Sequence, residues 1–128
     1  MNVEKTRNED GDKLTEAFIG CAFKVSNTLG SGFMEKVYEN ALAIEMTTSA
    51  LKCEQQQPNL VTYQGFSVGD YDAEILVEGQ IILEINAAKV IDNSHQAKRS
   101  NYLKATGSYR SLILNFGTTK LGCKRIAF

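Results

Sequence analysis

Tryptophan is missing from this 128-residue chain, proline and histidine occur once each, and cysteine only three times. Each shortage removes a class of explanation. Cys21, Cys53 and Cys123 are odd in number and far apart, without the close-paired spacing of a zinc site. His95 is the sole histidine, so a histidine-based metal centre has little material. Cys21 with His95 has the composition of a nucleophile pair, but nothing local marks it, and buried thiols are the simpler reading. No apolar run approaches the ~18 residues needed to cross a bilayer. The opening segment, residues 1–13, has almost no apolar content and no stretch resembling a signal peptide. It reads as a flexible polar tail ahead of a single domain, residues 14–128. A net charge of −1 gives no global basic field to advertise nucleic acid. These features together predict a cytoplasmic protein with reduced thiols.

What the chain does have is a pair of short apolar segments, residues 71–77 and 81–87, each with acids set inside it. Strict alternation makes both of them strands, with Glu78-Gly79-Gln80 as the turn. If Val77 faces Ile81, then Glu74 stands opposite Glu84 and Asp72 opposite Asn86, all on one face. Tyr71, Ala73, Ile75, Val77, Ile81, Leu83, Ile85 and Ala87 make the other face, a continuous apolar surface. Opposed like charges are destabilising on a strand pair, so Glu74 and Glu84 call for a cation, a shared proton or a nearby Lys or Arg. The plainer alternative is a solvated outer face on which two acids align.

The remaining segments supply helices and further strands. Leu14, Ala17, Phe18, Cys21, Ala22, Val25 and Leu29 recur at helical spacing before Gly30-Ser31-Gly32 stops the run. A second helix is predicted from about residue 33 to 50, with Phe33, Val37, Ala41 and Ile44 on its apolar stripe and Glu35, Lys36, Glu39 and Glu45 largely off it. Glu35 falls in its first turn, where the helix dipole alone favours an acid. Short strands follow Pro58 (60–63 and 66–68, around a Gln64-Gly65 turn) and lead into the acidic pair. Asn93-Ser94 caps a third helix to about Thr106, ended by Gly107. Residues 111–116 form an apolar strand and 123–128 an edge strand. The fold class is α/β (α+β), a mixed sheet flanked by helices.

At this point several motifs in order resemble a known family. Gly32-Phe33-Met34-Glu35-Lys36-Val37-Tyr38 is similar to the Gly-x-x-Glu-x-x-Tyr signature of the GxxExxY family. Ala22 to Val25 with Leu29-Gly30, the run Asn101 to Gly107, Asn115-Phe116-Gly117, and Lys124-Arg125-Ile126 also fit. The resemblance spans about residues 14 to 128. It implies the PD-(D/E)XK nuclease superfamily, with a restriction-endonuclease-like core and cleavage of phosphodiester bonds using Mg²⁺ or Mn²⁺. By the same resemblance Glu74 takes the place of the first metal-binding acid, normally Asp. Glu84 takes the acid of the (D/E)-x-K element, and Glu35 is the acid that the first helical region adds. A carboxylate-held metal polarises a phosphoryl oxygen and acidifies a bound water, which is what a poor electrophile and a poor nucleophile require.

The departures fall at the site. The lysine two residues after Glu84 is Asn86, and the glutamine of the following helix is Lys98. Asn cannot supply cationic charge to an attacking water or a developing phosphorane. Lys98 can, if the third helix packs along the acidic face; otherwise Lys98 and Arg99 are a solvated helix surface. Tyr38 and Tyr102 either orient substrate or sit in the core with wet tips. Lys124 and Arg125, with Lys104, Arg110 and Lys120, either form a phosphate-binding margin or are scattered surface charges. Two readings result. The first is a metal-dependent nuclease-like protein acting on DNA through an eroded site: Glu74, Glu84, Asn86 and Lys98 in catalysis, Glu35, Glu74 and Glu84 on metal, and Tyr102, Lys124 and Arg125 on substrate. The second is an inactive member serving as a nucleic-acid-binding or protein-interaction module, as a homodimer.

Overall fold

In a computed structural model, residues 9–89 and 110–127 are described. Helix α1, Glu9–Leu29, is followed by α2, Glu35–Thr48. Among the described residues five strands follow: β1 Cys53–Tyr63, β2 Phe66–Val77, β3 Ile81–Asn86, β4 Arg110–Asn115 and β5 Gly122–Ala127. They form one sheet in the order β1-β2-β3-β4-β5. Only β3 and β4 run parallel; the other neighbours are antiparallel. The mixed sheet with helices agrees with the expected class. The predicted third helix, and with it His95, Lys98, Tyr102 and Lys104, lies outside the described residues.

Two turns are as the sequence implies. Gln64 and Gly65 have φ of 50° and 83°, the left-handed pair of a tight hairpin, and join Tyr63 to Phe66. Glu78 and Gly79 repeat this at 53° and 64°, with the Gln80 N–H donating to the Val77 carbonyl at 2.9 Å. Elsewhere the elements run longer than expected. Helix α1 extends back to Glu9, into the segment read as a tail. β1 starts at Cys53 and runs through Pro58, which an edge strand tolerates because its missing N–H can face away from the ladder. β2 is continuous from Phe66 where two shorter strands were expected.

Both helices pack on one face of the sheet. Phe18, Cys21, Ala22 and Val25 of α1 join Tyr38, Leu42 and Met46 of α2 over Ile75, Val77, Ile81, Leu83, Ile85, Leu112 and Leu114. The strand parity is therefore as predicted, and Cys21 is a core thiol. The stripe of α2 is not. Tyr38, Glu39, Leu42, Ala43 and Met46 are buried, whereas Phe33, Val37 and Ile44 are exposed. Both stripes have helical spacing; the one that wins carries the larger side chains and finds partners for its polar atoms. Tyr38 donates from its hydroxyl to the Gly30 carbonyl at 2.6 Å and accepts from the Phe33 N–H at 3.2 Å. Its ring stacks on Phe116, with centroids 4.8 Å apart. The Gly-x-x-Glu-x-x-Tyr run thus has an architectural account: Gly32, at φ 113°, lets the chain turn, and Tyr38 ties that turn to the core.

Candidate active site

The face turned away from α1 and α2 carries a small apolar cluster, Leu76, Ile82 and Ile113, with Ile126 beside it. Glu74 and Glu84 extend that face by strand alternation. The ladder between β2 and β3 pairs Val77 with Ile81, Leu76 with Ile82 and Ile75 with Leu83, the register expected. It stops there, one step before Glu74 would face Glu84. In place of a further backbone rung, the Glu74 carboxylate accepts from the Ile85 N–H at 2.7 Å. One oxygen of Glu74 is thereby fixed at the point where the two strands part. Glu84 is 3% exposed, a depth at which a carboxylate is costly unless compensated.

The same end of the sheet holds a pocket of about 290 Å³ lined by Asn86, Ile113, Asn115, Thr118, Gly122, Cys123 and Lys124. Asn86 and Asn115 are partners at the carboxyl ends of the parallel strands β3 and β4. A crevice outside such strand ends is where open α/β sheets take ligands. Its floor is held by Asn115, which is nearly buried. The Asn115 Oδ1 accepts from the N–H groups of Ala88 and Gly117 at 3.2 and 3.0 Å, and Nδ2 donates to the Ala88 carbonyl at 3.1 Å. At Gly117 a Cβ would lie 2.5 Å from backbone atoms of Ala87 and Ala88, so only glycine permits this approach. Asn115-Phe116-Gly117 therefore clamps the chain leaving β3.

Glu35 begins α2, one turn ahead of Tyr38. Among the described residues no group of three or more metal-ligating side chains is gathered, so Glu35, Glu74 and Glu84 do not converge as one cluster. Lys124 stands on the pocket face and Arg125, paired with Leu112, on the other. Beside Arg125, the Cys123 thiol is pushed above its ordinary value by burial, with the guanidinium opposing this more weakly.

Sequence reasoning missed Glu39, placed there off the buried stripe. It is 3% exposed and accepts from Gln55 Nε2 at 2.6 Å and from Gln56 Nε2 at 3.1 and 3.3 Å, with Lys36 at 3.3 Å. Gln55 shares the helix face with its partner Ile75; Gln56, next along, should alternate to the face of Glu74. Its φ of 56° takes it out of the extended conformation and lets its amide reach back to Glu39. The space beside Glu74 is thus left without the side chain that strand alternation would put there. Three polar residues around one acid, Lys36, Gln55 and Gln56, were the only sequence signal, and it is a weak one.

Fold and geometry define a mixed α/β domain with two carboxylates on one sheet face where β2 and β3 part, consistent with a PD-(D/E)XK nuclease-like fold. The model of the PD-(D/E)XK nuclease superfamily matches residues 12–126, and the chain belongs to that superfamily. Comparisons with curated proteins and with solved structures each give no match. Membership carries a nuclease-like function and nucleic-acid binding at the level of the superfamily, whose enzymes are generally dependent on a divalent metal. Glu74 and Glu84 fit such an ion in chemistry: both are hard oxygen donors on one face, and Mg²⁺ commonly takes one or two carboxylates, keeping waters and substrate phosphates for its other positions. No described helix is long and apolar enough to cross a membrane.

Proposed function

We propose that this protein is a GxxExxY-type nuclease that hydrolyses DNA phosphodiester bonds with Mg²⁺ or Mn²⁺. The observation that carries the reading is the Glu74 and Glu84 pair, set on one face where β2 and β3 part, beside a pocket at the strand ends. Glu74 and Glu84 hold the ion; Glu35, which the fold does not gather with them, is left out of the ligand set. When bound, the ion supplies polarisation of a phosphoryl oxygen and a more acidic water. The chain's own residues do the rest. The Ile85 N–H fixes one Glu74 oxygen, the burial of Glu84 keeps bulk water from its carboxylate, and Asn86 lines the pocket. Lys124 binds substrate phosphate, whereas Arg125, expected to do the same, stands on the opposite face with Leu112; Tyr102 on substrate and Lys98 as cationic helper complete the set from outside the described residues.

Calorimetry with Mn²⁺ on wild type and Glu84→Ala tests this, alongside cleavage of single-stranded, duplex and branched DNA. Loss of both metal binding and cleavage is expected in the variant, and unchanged Mn²⁺ affinity would sink the assignment. A second reading, an inactive nucleic-acid-binding or protein-interaction module, is favoured by Asn86, whose amide carries no charge. Asn86→Lys separates the two: it raises a weak activity in an eroded enzyme and leaves a pure interaction module inert.

A further inference from the structure

Two acids and a phosphodiester concentrate negative charge in one place, and β1, β2 and β3 contain no Lys or Arg to add positive charge there. The fold brings a cation from farther along the chain. Glu84 on β3 pairs with Ile113 on β4, and Ile113 pairs with Lys124 on β5. Residues paired across a sheet point to the same face, so Glu84, Ile113 and Lys124 form one row. Two strand spacings, about 10 Å, separate its ends. The adjacent row runs from Asn86 through Asn115 to Gly122, and Gly122 puts no side chain into the pocket there. Asn86 and Lys124 line that same pocket of about 290 Å³.

The other strand cations face away. Arg110 pairs with Ile81 and Arg125 with Leu112, both residues of the helix-side core. Among the described strand residues, Lys124 is therefore the cation on the Glu84 face. It is exposed and enters no ion pair among the described residues, which leaves its long, flexible stem available to turn into the pocket.

We infer that Lys124 supplies, from β5, the positive charge that Asn86 lacks, binding the phosphoryl oxygens of a phosphodiester seated in the pocket between them. The inference rests on the nuclease reading and adds a catalytic residue to it. In the hydrolysis, the water oxygen bonds to phosphorus while the P–O ester bond breaks. The water gives up a proton to solvent and the leaving alkoxide takes one from solvent. Lys124 keeps its proton throughout and contributes charge alone.

The test compares wild type, Lys124→Met, Lys124→Arg, Asn86→Lys and the double variant Asn86→Lys/Lys124→Met. Single-turnover cleavage of a DNA oligomer in Mg²⁺ is measured, with binding of the same oligomer in Ca²⁺ and Mn²⁺ calorimetry beside it. Lys124→Met is expected to cut about 10²-fold more slowly, the scale for loss of one transition-state donor. Its Mn²⁺ affinity stays near wild type, which a general loss of structure would not allow. Lys124→Arg retains most of the rate. Asn86→Lys raises the rate of Lys124→Met by a much larger factor than it raises wild type, because either lysine fills one role. Equal gains in both backgrounds, or a Lys124→Met rate equal to wild type, overturn the inference while leaving a cleaving wild type as support for the nuclease reading. If wild type cuts nothing in Mg²⁺ or Mn²⁺, the nuclease reading fails, and the inference is judged on binding. Weaker oligomer binding by Lys124→Met then supports it as a phosphate site, and unchanged binding overturns it.

Discussion

Glu39 offers the sharpest test of how this sheet is held to its helices. Glu39→Ala removes the acceptor for Gln55 and Gln56 at 2.6 and 3.1 Å, and a contact to the largely exposed Lys36. Gln55 keeps its second bond, to Asn40 Oδ1 at 2.9 Å, so its loss is partial. Lys36 is too exposed to contribute much. Hydrogen bonds to a charged group are worth about 1.5–3 kcal/mol each, so the net loss should be about 3 kcal/mol. An unfolding entropy of about 2.1 cal/mol/K per residue converts this to a fall in Tm of about 11 °C. Gln56 makes the experiment more discriminating. Its left-handed φ costs about 1–2 kcal/mol for a residue with a Cβ, and the bonds to Glu39 hold it there. Once Glu39 is gone, Gln56 has nothing to lose by relaxing, so Gln56→Ala should cost little in that background. A double-mutant cycle by urea denaturation should return a coupling of about 1–2 kcal/mol. A coupling within about 0.3 kcal/mol of zero would mean the residues act independently and would refute the clamp.

Two further substitutions probe the motifs at the site end of the sheet. Tyr38→Phe keeps the stack on Phe116 and loses both hydroxyl bonds to the Gly30–Phe33 turn; about 1–2 kcal/mol should disappear, read as a lower urea midpoint with an unchanged slope. Gly117→Ala forces a methyl within 2.5 Å of the Ala87 and Ala88 backbone, so overpacking of about 1–3 kcal/mol is expected, with amide shifts concentrated at residues 86–88; a melt matching wild type would refute the close approach.

Much of the fold was legible in local pattern. Alternation in residues 71–87 named both faces of β2 and β3, and the Glu78-Gly79-Gln80 turn set their register, because a side-chain period of two and a tight turn leave little freedom. The position of Glu74 and Glu84 on the face away from α1 and α2 follows from the same two facts. The stripe of α2 was not legible, since residues 33, 37, 41 and 44 and residues 38, 42 and 46 are both spaced as a helix face. Only the partners decide between them: Phe116 for the Tyr38 ring, and Gln55 and Gln56 for Glu39.

By itself, then, the sequence determined what depends on neighbours along the chain: the strands, their turns, the shared face of the two acids and the motifs that place the protein in the PD-(D/E)XK nuclease superfamily. Tertiary structure decided what depends on neighbours across space. Parallel pairing of β3 with β4 put Asn86 beside Asn115, and antiparallel pairing of β5 put Lys124 in the row of Glu84. Local periodicity says which way a side chain points from its own strand, but which strand lies next to it is settled by packing of the whole sheet.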